Sequence, residues 1–189
     1  MMEKGSVLWL NGTSSSGKTT VGKLVQRLSA NHFFYISHDI VNEMNDKTRL
    51  DLDFITFESE NAIILAHMAK MLSDLGYSVI VDSVFLNNPE VQHKDIIYRT
   101  AEILKDSPVF LIKVICPADE LSIRERQRGD RHIGQAIAQL NDLIPTMESE
   151  YDYILSNYGK SAEDSALELL NTLPLLRQKA FSDIIKSRT

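Results

Sequence analysis

The strongest constraint on this chain is the segment Gly12-Thr13-Ser14-Ser15-Ser16-Gly17-Lys18-Thr19. It follows directly on the apolar run Ser6 to Leu10 and opens a segment with Val21, Leu24, Val25 and Leu28 at helical spacing. The order is strand, glycine-bounded loop, helix. The two glycines permit backbone conformations that a Cβ resists, so successive N–H groups can converge on phosphate oxygens. Lys18 adds a point charge for the outer phosphates, Thr19 offers a hydroxyl to Mg²⁺, and the helix N-terminus adds its partial positive charge. A chance match to this spacing would lack the flanking strand and helix. The segment predicts a triphosphate cradle built from Gly12 through Thr19, with Thr20 beside it.

The remaining pattern fits the same architecture. Further strands are predicted at Phe33 to Ile36, Val79 to Val81, Val109 to Ile115 and Tyr153 to Leu155, with helical patterns between them. Continuous apolar strands alternating with helices imply a parallel sheet covered on both faces, because each parallel crossover needs a helix to return the chain. The fold class is α/β: a three-layer α/β/α nucleotide-binding fold with a mostly parallel five-stranded sheet. A helix is predicted from Asn61 to Leu75, stopped by Gly76. The stretch between the second and third strands exceeds a simple crossover, and Asp51 to Phe57 within it is expected to build a substrate pocket. Pro174 to Thr189 reads as one more amphipathic helix. No repeat or flexible linker divides residues 1–189, so one domain is expected.

Composition narrows the partners. With 43% hydrophobic and 24% charged residues and a net charge of -6, the chain has core material and no basic footprint for nucleic acid. No apolar run approaches the roughly 20 residues that span a bilayer, and Met-Met-Glu-Lys-Gly does not open like a signal peptide. A cytoplasmic protein without a membrane partner is expected. Cys116 is the single cysteine, beside an apolar stretch, and is expected to be a buried structural thiol.

Other residues choose among the users of such a loop. The Asp-x-x-Gly and Asn-Lys-x-Asp signatures of switch GTPases are absent from the sequence. Asp82 closes the strand Val79-Ile-Val and is either a Mg²⁺-steering carboxylate or a loop cap. Asp39 follows the second strand and is either the N-cap of the next helix or a base accepting a substrate hydroxyl proton. His38 is an alternative base, weighed against a polar surface histidine. Arg124, Arg128 and Arg131 share one helical face if the helix persists through Gly129, which is also a candidate hinge, whereas Arg126 points elsewhere. They read either as a lid over a transferring phosphoryl group or as a solvated face neutralised by Glu125 and Asp130.

Together these segments resemble the chloramphenicol phosphotransferase family, a branch of P-loop kinases with an architecture like that of nucleotide and shikimate kinases. The resemblance rests on Leu10 to Thr19, Asp39-Ile-Val-Asn-Glu-Met44, Val79-Ile-Val-Asp-Ser-Val-Phe-Leu86 and Arg124-Glu-Arg-Gln-Arg-Gly-Asp-Arg131, in that order. It implies an ATP- and Mg²⁺-dependent kinase acting on the hydroxyl of a small molecule, chloramphenicol or a related antibiotic. It matches Asp39 to an aspartate that deprotonates the substrate hydroxyl, and the reading of the residues adds Lys18, Arg128 and Arg131 to the catalytic set. Arg124 joins the loop on the nucleotide, and Thr19 and Asp82 hold the metal. The acceptor region is expected at 39–60 with Val84, Phe85 and Leu86, the lid at 117–134, and a helical tail at 174–189. Asp82-Ser83 departs from the paired aspartates frequent in the family, and residues 45–60 show little correspondence. The rival readings are a nucleotide-dependent regulatory protein and a nucleoside or metabolite kinase.

Overall fold

The computed structural model describes residues 3–44, 54–86, 94–128 and 133–188. Five strands, β1 (Val7–Asn11), β2 (Phe33–Ser37), β3 (Ser78–Ser83), β4 (Val109–Ile115) and β5 (Tyr153–Ser156), form one sheet in the order β2-β3-β1-β4-β5. Every pairing is parallel. The helices are α1 (Lys18–Leu28), α2 (His38–Met44), α3 (Phe54–Asp74), α4 (Lys94–Leu104), α5 (Ala118–Arg128), α6 (Gln135–Asp142), α7 (Ala162–Thr172) and α8 (Ala180–Lys186).

Strand alternation sorts the apolar residues into two layers. Val7 and Trp9 of β1 join Val79 and Val81 of β3 against α3, α4 and α8. Leu8, Leu10 and Ile80 turn the other way, onto α1 and α7. Both faces of the central strands are therefore dry, which is why β1 and β4 read as unbroken apolar runs. Trp9 lies flat on Phe85, with ring centroids 5.3 Å apart and 7° between planes. That stack anchors the chain leaving β3 to the sheet centre.

Three expectations are corrected. The strands run past their apolar residues, so Asn11, Asp82 and Ser83 are still in the sheet, with Asn11 opposite Ser83. The helix predicted from Asn61 begins at Phe54, so 54–60 form its first turns; residues 45–53 lie outside the described residues. The tail is not one helix. A single 3-10 turn at Leu173–Leu175 is followed by extended chain, and α8 begins only at Ala180. Leu176 leaves the turn with an extended backbone, φ -76° and ψ 150°, and Asp152 Oδ1 accepts from the Lys179 and Ala180 N–H groups at 2.8 and 3.0 Å, which starts α8 there. Among the described residues no helix is long and apolar enough to cross a membrane.

Candidate active site

The C-terminal ends of β1, β2 and β3, with α5 and α6 opposite, enclose a cleft of about 230 Å³. Such crevices form where neighbouring connections leave a central parallel strand in opposite directions, here from β1. The predicted residues Ser14, Ser15, Gly17, Lys18, Thr19, Thr20, Asp39, Asp82 and Arg128 all line it.

The loop is held open from beneath. Gly17 has φ +92°, and a Cβ there would stand 2.0 Å from Asn157 Nδ2, so glycine is required for both backbone and space. Asn157, just after β5, donates to Ser16 O at 2.8 Å and accepts from Ser165 Oγ at 3.0 Å. Lys18 Nζ donates to Gly12 O and Thr13 O at 2.7 and 2.9 Å, closing the ring of the loop. From above, Gln139 Oε1 accepts from the Ser14 N–H at 2.6 Å. Gly12, Thr13 and Ser16 thus shape the loop from its buried side.

At the loop's mouth Thr19 Oγ1 donates to Asp82 Oδ2 at 2.6 Å, and Asp82 Oδ1 lies 3.9 Å from Lys18 Nζ. The Asp82 carboxylate thus turns back toward the phosphate loop. Tyr35 completes the group, its hydroxyl donating to Asp82 Oδ2 at 2.7 Å. Burial pushes the Tyr35 phenol far above its ordinary range, and the Asp82 carboxylate adds to this, so Tyr35 remains a donor at neutral pH. A hydroxyl and a carboxylate side by side are hard oxygen donors. They suit Mg²⁺, which takes one or two protein ligands and completes its shell with water and phosphate.

Across the cleft, β2 ends at Ser37 and α2 follows at once. The capping role belongs to Ser37, whose Oγ accepts from the Ile40 N–H at 3.3 Å. Asp39 sits in the first helical turn and lines the cleft. His38 also lines the cleft and is only 8% exposed, which corrects the expectation of a surface histidine. Val84 and Leu86 face the cleft too, whereas Phe85 is core.

The arginine helix divides its labour. Arg128 reaches the cleft, whereas Arg124 pairs with Glu120 at 2.8 Å and donates to Asn157 O at 3.1 Å. Arg124 therefore braces the residue that supports the loop. Arg131, with Gly129 and Asp130, lies outside the described residues. Glu125 is no solvated counter-charge: it is 1% exposed and accepts from the Gly134 and Ala136 N–H groups at 2.8 and 2.6 Å, capping α6. Cys116 is buried beside Leu121 and Ala136, and burial raises its thiol pKa, which suits a structural residue.

The far wall is tied down by Asn11, which is fully buried. Its Oδ1 accepts from the Phe85 N–H at 2.9 Å, and its Nδ2 donates to Ile144 O at 2.7 Å and Tyr151 Oη at 2.9 Å. Leu86 bridges Leu143 in an isolated antiparallel pair. The chain after α6 is thereby fastened to the chain after β3. Asn11, Tyr35, Gln139 and Asn157 carry no motif, and sequence reasoning missed them. Asn11, Tyr35 and Asn157 at least sit in or beside an apolar strand, whereas Gln139 lies within α6 and gave no signal.

A parallel five-stranded sheet, a phosphate loop leaving its central strand, Asp82 closing the neighbouring β3 and Asp39 in the helix that follows β2 are the frame of a P-loop phosphotransferase. The model for chloramphenicol phosphotransferase-like protein matches residues 5–174, and the chain belongs to that family. It is 24% identical over 192 residues to the Mycobacterium tuberculosis protein named "Putative O-phosphotransferase Rv2636", covering 89% of this chain and 82% of that one. Among solved structures, the fold is similar to the Mycobacterium tuberculosis APS kinase CysC in complex with AMPPNP and APS. The TM-score is 0.66 at 21% identity, covering 90% of this chain and 98% of that one. Shikimate kinase from Acinetobacter baumannii in complex with shikimate gives a TM-score of 0.60 at 19% identity, covering 92% and 94%. A gluconokinase from Sinorhizobium meliloti gives 0.64 at 15% identity, covering 93% and 94%.

Proposed function

We propose that the protein transfers the γ-phosphoryl group of ATP to a hydroxyl of a small molecule, with Asp39 as the general base. The observation that carries this reading is that Asp39, in the first turn of α2, lines one cleft together with the phosphate loop and Asp82. A carboxylate that only capped its helix would not be needed there, because Ser37 already performs that task. Asp39 accepts the acceptor's hydroxyl proton as the new O–P bond forms and the bond to the β-phosphate oxygen breaks, leaving ADP. Loop amides and Lys18 hold the phosphates. Arg128, with Arg131 from the following segment, places positive charge over the group in transit. Thr19 and Asp82 would hold Mg²⁺, which when bound would supply neutralising charge for the phosphates.

The family makes chloramphenicol and related antibiotics the first acceptors to try. Catalysis among soluble cytoplasmic metabolites, without nucleic acid or membrane, is part of the same reading. The experiment is ADP release with Mg²⁺ and ATP, with and without a panel of alcohols that includes chloramphenicol. Acceptor-stimulated release with one phosphate ester per ADP is expected. Turnover indifferent to every acceptor would replace the kinase with a nucleotide-driven regulatory protein.

A further inference from the structure

Gln139 brings to the cleft a polar group that the phosphotransferase reading leaves without a task. It stands on α6, lines the cleft, and its Oε1 accepts from the Ser14 N–H at 2.6 Å. A backbone N–H only donates, so the carboxamide oxygen is the atom that meets Ser14, and the Nε2 amino group is turned away from that bond. Nε2 carries two N–H donors and has no hydrogen-bond partner among the described residues.

The point of contact fixes where those donors stand. Lys18 Nζ donates to Thr13 O at 2.9 Å, and Thr13 O belongs to the same peptide unit as the Ser14 N–H. In a trans unit the C=O and N–H point opposite ways, so Lys18 grips it on one side and Gln139 on the other. The two bonds do not compete, and both persist with phosphate in the loop. Lys18 is the charge for the outer phosphates, so this unit borders the γ-phosphoryl position and Gln139 stands at its rim.

The support is rigid. Glu125 caps the start of α6, and beyond its end the Ile144 backbone is bonded to Phe85 O and to Asn11 Nδ2. A donor on a helix fastened at both ends is already in place when charge develops.

We propose that Gln139 is a catalytic residue: with Oε1 kept on Ser14, it donates an Nε2–H to an oxygen of the phosphoryl group in transit. The inference rests on the kinase reading above. Phosphoryl oxygens are negative and only accept, so a carboxamide whose oxygen is already engaged suits them. Gln139 adds a directional neutral donor to the charges of Lys18 and Arg128. It also favours ATP over ADP, since only ATP carries a γ-phosphoryl group.

The test compares wild type with Gln139→Met and Gln139→Glu. Methionine keeps the length but neither donates nor accepts in this way, whereas glutamate keeps the acceptor for Ser14 and loses the donor. Each protein is titrated calorimetrically with Mg²⁺ and either ADP or the non-hydrolysable imido analogue of ATP. In Gln139→Met the ratio of analogue to ADP affinity is expected to fall at least about tenfold, the worth of a hydrogen bond to a charged group. Gln139→Glu should show the same fall with wild-type ADP affinity. Equal losses for both nucleotides in Gln139→Met, restored in Gln139→Glu, overturn the proposal and leave Gln139 a support of the loop. An unchanged ratio in both variants also overturns it, with the kinase still standing. If wild type binds the ATP analogue but no acceptor stimulates turnover, the kinase reading falls and takes this proposal with it.

Discussion

Replacing Asn11 with alanine tests how the cleft wall is held. Asn11 is fully buried, and its amide engages the Phe85 N–H and the Ile144 carbonyl at 2.9 and 2.7 Å. Truncation strands both backbone groups inside the protein. Tyr151 is less affected, since its hydroxyl still donates to Pro145 O at 3.0 Å. Each stranded buried group costs about 1–3 kcal/mol, so Asn11→Ala is expected to destabilise by roughly 2–6 kcal/mol. At about 2–4 °C per kcal/mol for a chain of this size, the melting temperature falls by roughly 4–24 °C. Asn11→Asp is the sharper probe. A carboxylate can still accept from Phe85 but cannot donate to Ile144, and it buries a charge at a fully buried position. It should be at least as damaging as alanine. The assay is urea denaturation of all three proteins, compared at equal slope so that the midpoint reports stability. A loss below about 0.5 kcal/mol for Asn11→Ala, within the range of ordinary surface substitutions, would refute the reasoning.

Further consequences follow from the same geometry. Tyr35→Phe removes one of the two hydroxyl donors on Asp82 Oδ2, and should raise the Mg²⁺ concentration needed for nucleotide binding about tenfold in a Mn²⁺ competition titration; an unchanged requirement would dismiss Tyr35 as a positioning residue. Burial raises the phenols of Tyr35, Tyr151 and Tyr153, so absorbance at alkaline pH should show these tyrosines ionising late in the native protein. The sign is fixed by the raised folded values. Their stabilisation is complete below the ordinary phenol pKa of about 10 and is lost as pH rises through the folded values, which denaturation at stepped alkaline pH would record. Glu125→Ala should cost about 1–3 kcal/mol by stranding the buried Ala136 N–H, and hydrogen exchange should quicken at Gly134 and Ala136 first; unchanged exchange there would contradict the capping role.

Local signals carried the donor side of this molecule. The phosphate loop is contiguous, so its glycines, Lys18 and Thr19 could be read with their purpose, and the apolar periods around it gave strand and helix. Asp39 and Asp82 were legible because Asp82 lies among the last residues of an apolar strand run and Asp39 follows one by two residues, and parallel sheets bring such positions to a common edge. What escaped depends on contacts between distant residues. Asn157 supports Ser16 from 141 positions away, and Asn11 reaches Ile144 across 133. No window of sequence contains either pair. Glu125 looked like a surface charge because α5 is densely charged, yet the α6 amides bury it. The tail misled for a similar reason: its apolar residues have helical spacing, but Asp152, from before β5, decides where α8 starts.

The central claim is that Asp39 takes a proton from an acceptor held opposite the phosphate loop, and Asp39→Asn addresses it most directly. Asparagine keeps the size and position of the side chain but cannot accept that proton under working conditions. Calorimetric titration of ATP·Mg²⁺ should give the wild-type affinity, while the rate of phosphate ester formation falls by about 10²–10⁴. Undiminished transfer by Asp39→Asn, with nucleotide binding intact, would contradict the account.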